Sequence, residues 1–217
     1  MNLEKWFEFY RQILKDFDFS KEEDEFSAVL MHKLGRDKLL ELEVLERKIK
    51  GKDVVVIGPI LGERELGLIE KFRGVRITAG KALLEVVEVS ESLGVPEIIP
   101  DVHVTDMEEP DELLLSVQKK GCILVLHAHG DNVGRVESLI PKVGGFIGTT
   151  QSIPFDRIYN FGGFTDGDRA VCMAKEMGAR GIELVGFDFE KAEGMKRKKL
   201  GWARKILAYE LGLNTRT

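Results

Sequence analysis

The chain has 217 residues, 43% of them hydrophobic and 32% charged, and carries a formal net charge of −5. That length and apolar content suffice for a full hydrophobic core and exclude a disordered or fibrous chain. A net negative chain without a basic face is a poor general nucleic-acid binder, and no apolar run approaches the ~20 residues a membrane helix needs, so an anionic substrate has to be met by local groups.

Residues 2–50 carry no strand pattern. Trp6, Tyr10, Ile13, Leu14 and Phe17 recur at helical spacing and mark one apolar face. Ser20 and Glu23 form a capping-box pair that opens a second helix through Phe26, Val29, Leu30 and Leu34. A third helix is expected from Asp37 to Lys50, stopped by Gly51. These helices are expected to cover the sheet or a homodimer partner, with no chemistry of their own. The boundary is placed near Gly51, giving a helical N-terminal segment, 1–50, and an α/β catalytic domain, 51–217.

From Lys52 onward, short β-branched runs alternate with helical segments, the signature of parallel strands joined by crossover helices. Strands are expected at 53–58, 75–78 and 97–104, with helices at 63–72 and 81–93 between them. A helix at 109–119 leads to a strand at 122–126, and a helix at 133–140 leads to strands at 145–149 and 157–160. The helix opened by Thr165 runs to Met177, a strand follows at 182–186, and a basic helix, Ala192 to Leu211, closes the pattern. The fold class is α/β, a mostly parallel Rossmann-like sheet with helices on both faces. Cys122 and Cys172 lack metal-ligand spacing, which predicts buried free thiols and a reducing, cytoplasmic setting; the N-terminal stretch lacks the apolar segment of a secretory signal.

Ligands of open α/β sheets bind outside the carboxyl ends of the strands, and the polar cassettes of this chain fall there. Asp106 and Glu108, two apart after the third strand, offer hard oxygens of the kind Mg²⁺ takes beside phosphates, or else serve as turn groups before Pro110. His127, His129, Asp131 and Asn132 crowd four functional side chains into six positions. They suit a transition-metal hydrolase centre or, the favoured version, a phosphate-binding turn with donating imidazoles. Thr149, Thr150 and Gln151 suit a heterocycle or ribose, or a plain turn. In the cassette from Asn160 through Gly163, Thr165, Asp166, Asp168 and Arg169, Thr165 and Asp168 can cap the next helix, while the helix start and Arg169 make an anion site. Asp188 sits between Phe187 and Phe189, where a carboxylate can meet ligand N–H groups and aromatics can stack on a flat ring, or the aromatics simply bury against the sheet. Gly58 opens a loop only loosely like a nucleotide-binding turn, and the run Lys196 to Lys199 is a solvated face or a triphosphate attractor.

Taken in order, Val104-Thr105-Asp106, His127 to Asn132, Gly148 to Gln151, Asn160 to Arg169 and Gly186 to Phe189 resemble the MptE-like family of archaeal 6-hydroxymethyl-7,8-dihydropterin diphosphokinases over roughly residues 50–200. The resemblance implies Mg²⁺-dependent transfer of diphosphate from ATP to the hydroxymethyl group of the reduced pterin, feeding folate or methanopterin synthesis. It places Asp106 in the metal site with Asp131 a further candidate, and the Thr165 to Arg169 turn with Asp188 around nucleotide and pterin. His127 or His129 is a candidate to accept the alcohol proton, and Arg169 to neutralise charge. The chain departs from the family pattern in three places. Gly58-Pro59-Ile60 lacks a serine, Ala79-Gly80-Lys81-Ala82 replaces Ala-Asp-Gly-Ala, and Asp106-x-Glu108 replaces Asp-x-Asp. Lys81 at a helix start is expected to contact phosphate directly. Rival readings are a metal-dependent nucleotide phosphoesterase, a sugar-nucleotide transferase and a non-enzymatic nucleotide sensor.

Overall fold

The computed structural model describes residues 1–189 and 193–212. Its strands are β1 (Asp53–Ile57), β2 (Val75–Ala79), β3 (Val102–Thr105), β4 (Ile123–Ala128), β5 (Ile147–Thr150), β6 (Ile158–Tyr159) and β7 (Gly181–Val185). Every neighbouring pair is parallel, in the order β6-β5-β4-β3-β2-β1-β7. Parallel strands covered on both faces read as continuous apolar runs, and Val54, Val55, Val56 and Ile57 are all buried.

The helices are α1 (Leu3–Phe17), α2 (Lys21–Gly35), α3 (Glu43–Ile49), α4 (Glu63–Lys71), α5 (Ala82–Leu93), α6 (Asp111–Lys119), α7 (Val133–Leu139), α8 (Asp166–Glu176) and α9 (Gly194–Leu211). Strands β1 to β6 are laid down in one direction, and the chain then crosses back to set β7 beyond β1. Right-handed crossovers therefore put the intervening helices on one face and α8 on the other. Val55 and Ile57 accordingly pack with Ile69 of α4 and Val86 of α5, and Leu124 and Leu126 with Leu114 of α6 and Val136 of α7. On the other face Val54, Val56 and Val104 pack with Val171 of α8, Ile206 of α9 and Trp6 of α1. Each such side chain contributes about 1.5–3 kcal/mol on burial, so the N-terminal helices are welded to the sheet. Cys122 and Cys172 are buried free thiols. Among the described residues no helix is long and apolar enough to cross a membrane.

Three expected elements differ. The third helix shrinks to α3 because Leu39 and Leu40 run beside the sheet: Leu40 N donates to Phe146 O at 2.9 Å and Phe146 N to Lys38 O at 2.9 Å. The strand expected at 97–104 shrinks to β3, since Pro96 and Pro100 bring no N–H to a ladder. Helix α2 is capped by Ser20 as expected, but its apolar face is reversed. Asp24, Ser27, Ala28, Met31 and Gly35 point inward, while Phe26, Val29 and Leu34 are exposed. The expected start of the last helix at Ala192 lies outside the described residues; α9 begins at Gly194.

Candidate active site

The sheet order reverses between β1 and β7, and a cleft opens beside that switch point along the carboxyl edge. It has two compartments. One, of roughly 340 Å³, is lined by Ile60, Lys81, Phe187, Asp188, Phe189 and Lys196 among others. The other, of roughly 160 Å³, is lined by Phe19, His129, Asp131, Gln151, Phe164 and Arg169. Asp106, Thr165, Asp166 and Lys199 line both and form a charged waist between them. A larger cavity, roughly 650 Å³, opens elsewhere beside Tyr159 and Glu210, and of the expected site residues it holds only Asn160. Asn160 spends its side chain on its own loop, donating to Ser152 O at 2.7 Å and accepting from Gly162 N at 2.8 Å.

At the waist, Asp166 accepts a hydrogen bond from Arg169 Nη1 at 2.8 Å, and Arg169 Nη2 donates to Phe164 O at 3.0 Å. The guanidinium is thereby fixed, yet its Nε is buried without a hydrogen-bond partner. Burial, and then the nearby Asp106 carboxylate, push the Asp166 carboxyl well above its usual range, while Arg169 opposes the rise. Asp106 goes the other way: burial would raise it, but His129 holds it below the ordinary value. The two carboxylates thus share a site in which one carries charge more readily than the other. His129 Nε2 lies 3.6 Å from Asp106 Oδ2, and its Nδ1 accepts from Asp131 N at 3.3 Å. That acceptor role at Nδ1 leaves the proton of a neutral ring on Nε2, toward Asp106.

The expected metal set Asp106, Glu108 and Asp131 does not converge. Met107, between the first two, is buried with φ +71°, and Glu108 faces Lys81 with Nζ to Oε2 at 3.4 Å. Asp131 is largely exposed, its carboxylate 4.0 Å from His129 Nδ1. Among the described residues no group of three or more His, Cys, Asp or Glu side chains is assembled to hold a metal by itself.

Several expected ligand-binding groups have their hydrogen bonds filled by the protein. Asn132 donates to Asp106 O at 2.9 Å and His127 O at 2.7 Å and accepts from His129 N at 3.0 Å, so it ties the ends of β3 and β4 together. His127 is buried, with Nδ1 3.0 Å from Thr149 Oγ1, which itself reaches Leu126 O at 3.2 Å. Burial first, then Arg169 and His129, push the His127 imidazole well below its normal pKa, so it is neutral at pH 7. Thr150 Oγ1 accepts from Ser152 N, and Gln151 Nε2 donates to Asp24 at 2.8 Å. Asp168 accepts from Phe164 N at 2.6 Å and Thr165 N at 2.8 Å, closing the start of α8. Gly163 has φ +94°, and a Cβ there would meet Arg169 Cα at 2.4 Å; the bare glycine lets the cassette fold onto α8. Gly58 N donates to Val185 O at 2.8 Å, stitching the ends of β1 and β7 beneath the larger compartment.

Four contributors lie outside the expected set. Phe19 comes from the turn between α1 and α2, and Lys199 from α9, inside the basic run noted in the sequence. Glu109 and Arg135 hold the strained turn after β3: Thr105 Oγ1 accepts from Met107 N at 2.8 Å and donates to Glu109 at 2.5 Å, while Arg135 donates to Met107 O and Glu109 O. Charge in a turn is too common a pattern for sequence to have singled these out.

The description "6-hydroxymethylpterin diphosphokinase MptE-like" belongs to a family model that matches residues 35–194. A Pyrococcus furiosus protein named 6-hydroxymethyl-7,8-dihydropterin pyrophosphokinase is 37% identical, over 96% of this chain and 94% of its own length. Proteins of the same name from Methanothermobacter thermautotrophicus and Methanocaldococcus jannaschii are each 31% identical, over 95% and 96% of this chain and 94% and 95% of their own lengths. The matched span carries both carboxylates of the waist, the His129 turn and the aromatic wall at Phe187 and Phe189. With the resemblance running through the same residues that the fold gathers at one cleft, the chain belongs to the MptE-like 6-hydroxymethylpterin diphosphokinase family.

Proposed function

We propose that this protein transfers a diphosphate group from ATP to the hydroxymethyl group of 6-hydroxymethyl-7,8-dihydropterin and so serves folate or methanopterin synthesis; its relatives' names, 6-hydroxymethyl-7,8-dihydropterin pyrophosphokinase, support the pterin and the kind of group transferred. The observation that carries the reading is the division of the cleft into two compartments meeting at one charged waist. Passing a diphosphate from one ring-bearing substrate to another calls for such a plan, whereas hydrolysis of a nucleotide needs one compartment and water. The pterin oxygen forms a bond to the β-phosphorus, the bond from that phosphorus to the oxygen of the α-phosphate breaks, and AMP leaves with that oxygen. The hydroxyl proton passes to solvent water as the new bond forms.

The parallel Phe187 and Phe189 rings, 5.9 Å apart, give the larger compartment an apolar wall suited to the flat pterin, with Asp188 beside it for ring N–H groups. Thr165, Asp166 and Gly167 bring the N-terminus of α8 to the cleft, a favourable end for phosphate. Lys199 and Lys81 add positive charge to the larger compartment, the latter beside Glu108, and Arg169 is held ready by Asp166.

Mg²⁺ fits the waist: Asp106 and Asp166 are hard oxygen donors whose mutual repulsion a cation relieves, and Mg²⁺ ordinarily takes one or two carboxylates plus substrate phosphates. Asp106 and Asp166 would hold it, with Asp131 and Glu108 flanking from the two compartments. When bound it supplies charge neutralisation at the transferring phosphates. Because phosphoryl transfer demands positioning more than proton abstraction, His129 is best used as a donor from Nε2; accepting the alcohol proton at Nδ1 requires it to release Asp131 N–H. His127, buried behind the turn, bears on the cleft through its neighbours His129 and Arg169.

Anaerobic incubation with ATP, Mg²⁺ and the reduced pterin, followed by chromatography, tests the proposal. AMP and pterin diphosphate in equal amounts are expected; nucleotide breakdown that ignores the pterin would point to a hydrolase and refute the transfer.

A further inference from the structure

The N-terminal helices look like a cover for the sheet, but one buried carboxylate on α2 holds residues that wall the cleft. Asp24 is 3% exposed and makes three hydrogen bonds, each to a different element. Its Oδ1 accepts from Gly130 N at 2.8 Å, in the middle of the His129-Gly130-Asp131 turn. Its Oδ2 accepts from Tyr10 Oη of α1 at 2.5 Å and from Gln151 Nε2, after β5, at 2.8 Å. Three residues along, Ser27 Oγ donates to Asn132 Oδ1 at 3.3 Å, the amide that also holds His129 N. Burial and Asp24 itself keep the Tyr10 hydroxyl protonated, so it serves as a permanent donor.

This arrangement explains why α2 turns Asp24 and Ser27 inward beside Ala28 and Met31, which join the apolar core. An unpaired buried carboxylate is costly, and one accepting three hydrogen bonds from three elements is a clamp. Gly130 N is the donor immediately before Asp131 N, which bonds His129 Nδ1 and thereby sets the tautomer that points Nε2–H at Asp106. Moving Gly130 therefore moves the ring.

We propose that Asp24 is a positioning residue of the active site, which fixes the His129 turn, and hence the orientation and tautomer of His129, from a helix outside the α/β body. The consequence for turnover rests on the function proposed above; the consequence for His129 does not. Asp24→Ala removes all three hydrogen bonds, and Asp24→Asn fits the same space and keeps one oxygen for Gly130 N, which covers the case in which Asp24→Ala does not fold.

The experiment reads imidazole ¹⁵N signals of His129, assigned with His129→Gln, alongside kcat and KM with ATP and the reduced pterin. In Asp24→Ala the His129 Nδ1 signal should leave its hydrogen-bonded position, and kcat should fall about 100-fold with KM for either substrate within a few-fold, as expected for a misplaced group. Asp24→Asn should shift the same signal less and recover kcat to within about 10-fold of the parent. A folded variant of either kind whose His129 signal matches the parent overturns the proposal, as does a loss seen only in melting temperature. If the parent protein shows no pterin-dependent turnover, the proposed function fails while the His129 signals still decide the role of Asp24.

Discussion

Gly80 leaves room for the carboxylate of Asp166: a Cβ at Gly80 would lie 2.6 Å from Asp166 Oδ2. Gly80 also has φ +53°, a region costing an L residue about 1–2 kcal/mol. Gly80→Ala is therefore expected to lose about that much stability in urea unfolding. It should also cut turnover by at least about 10-fold, because the displaced carboxylate belongs to the waist. Unchanged kinetics in a folded Gly80→Ala protein would show that Asp166 need not stay where it is.

Asp166 itself should trade stability for function. Its carboxyl is raised in the folded state by burial and by Asp106, so the native state binds the proton more tightly than the unfolded chain. Stability from this group is full below the unfolded pKa of about 3.9 and is lost as pH rises from there through the folded value, so at pH 7 the group destabilises. Asp166→Asn keeps an acceptor for Arg169 and is expected to melt higher than the parent at pH 7, with the gain shrinking toward pH 4. Turnover should fall about 100-fold or more. A lower melting temperature for Asp166→Asn at pH 7 would count against the repulsion described here.

His127 imposes the opposite slope. Its folded pKa is depressed by burial, so stability is present above the unfolded value near 6.5 and drops as pH falls below it, by at most about 1.4 kcal/mol per unit. Urea midpoints at pH 7.5 and pH 5.5 should show this loss for the parent and a smaller one for His127→Asn, whose amide replaces the donor to Thr149. Equal slopes would place the titration on another group.

Lys199 lines both compartments and lies close enough to Asp106 to lower its pKa. Lys199→Ala should raise KM for ATP about 10-fold with a smaller change in KM for the pterin, and the difference from the parent should narrow at high salt. Initial rates at two ionic strengths check this, and an effect on the pterin alone would show that Lys199 does not meet the polyphosphate.

The strands were legible because runs such as Val54 to Ile57 and Leu124 to Leu126 are apolar on both faces, as parallel interior strands demand. The inward side of α2 was not legible, and the reason is physical. Hydropathy ranks Phe26 and Val29 above Asp24 and Ser27, but the surface awaiting this helix is the polar turn from His129 to Asn132, which rewards hydrogen bonds over apolar area. The same blindness divides the site. Asp166 and Asp168 are two residues apart in one cassette and both border the larger compartment, yet the first pairs with Arg169 at the waist while the second spends its carboxylate on backbone N–H groups. Residue type could not separate them, because a helix start offers a carboxylate both uses. Phe19 and Lys199 reach the cleft only through the docking of α1, α2 and α9, a matter of tertiary packing that no local motif encodes.

The shared waist means that the two compartments are not independent binding sites. Whatever occupies either one alters the charge carried by Asp106 and Asp166, and with it the reception the other gives its own ligand. Such influence is mutual by thermodynamic necessity: the factor by which a ligand in one compartment changes affinity in the other is the factor by which the second ligand changes affinity for the first.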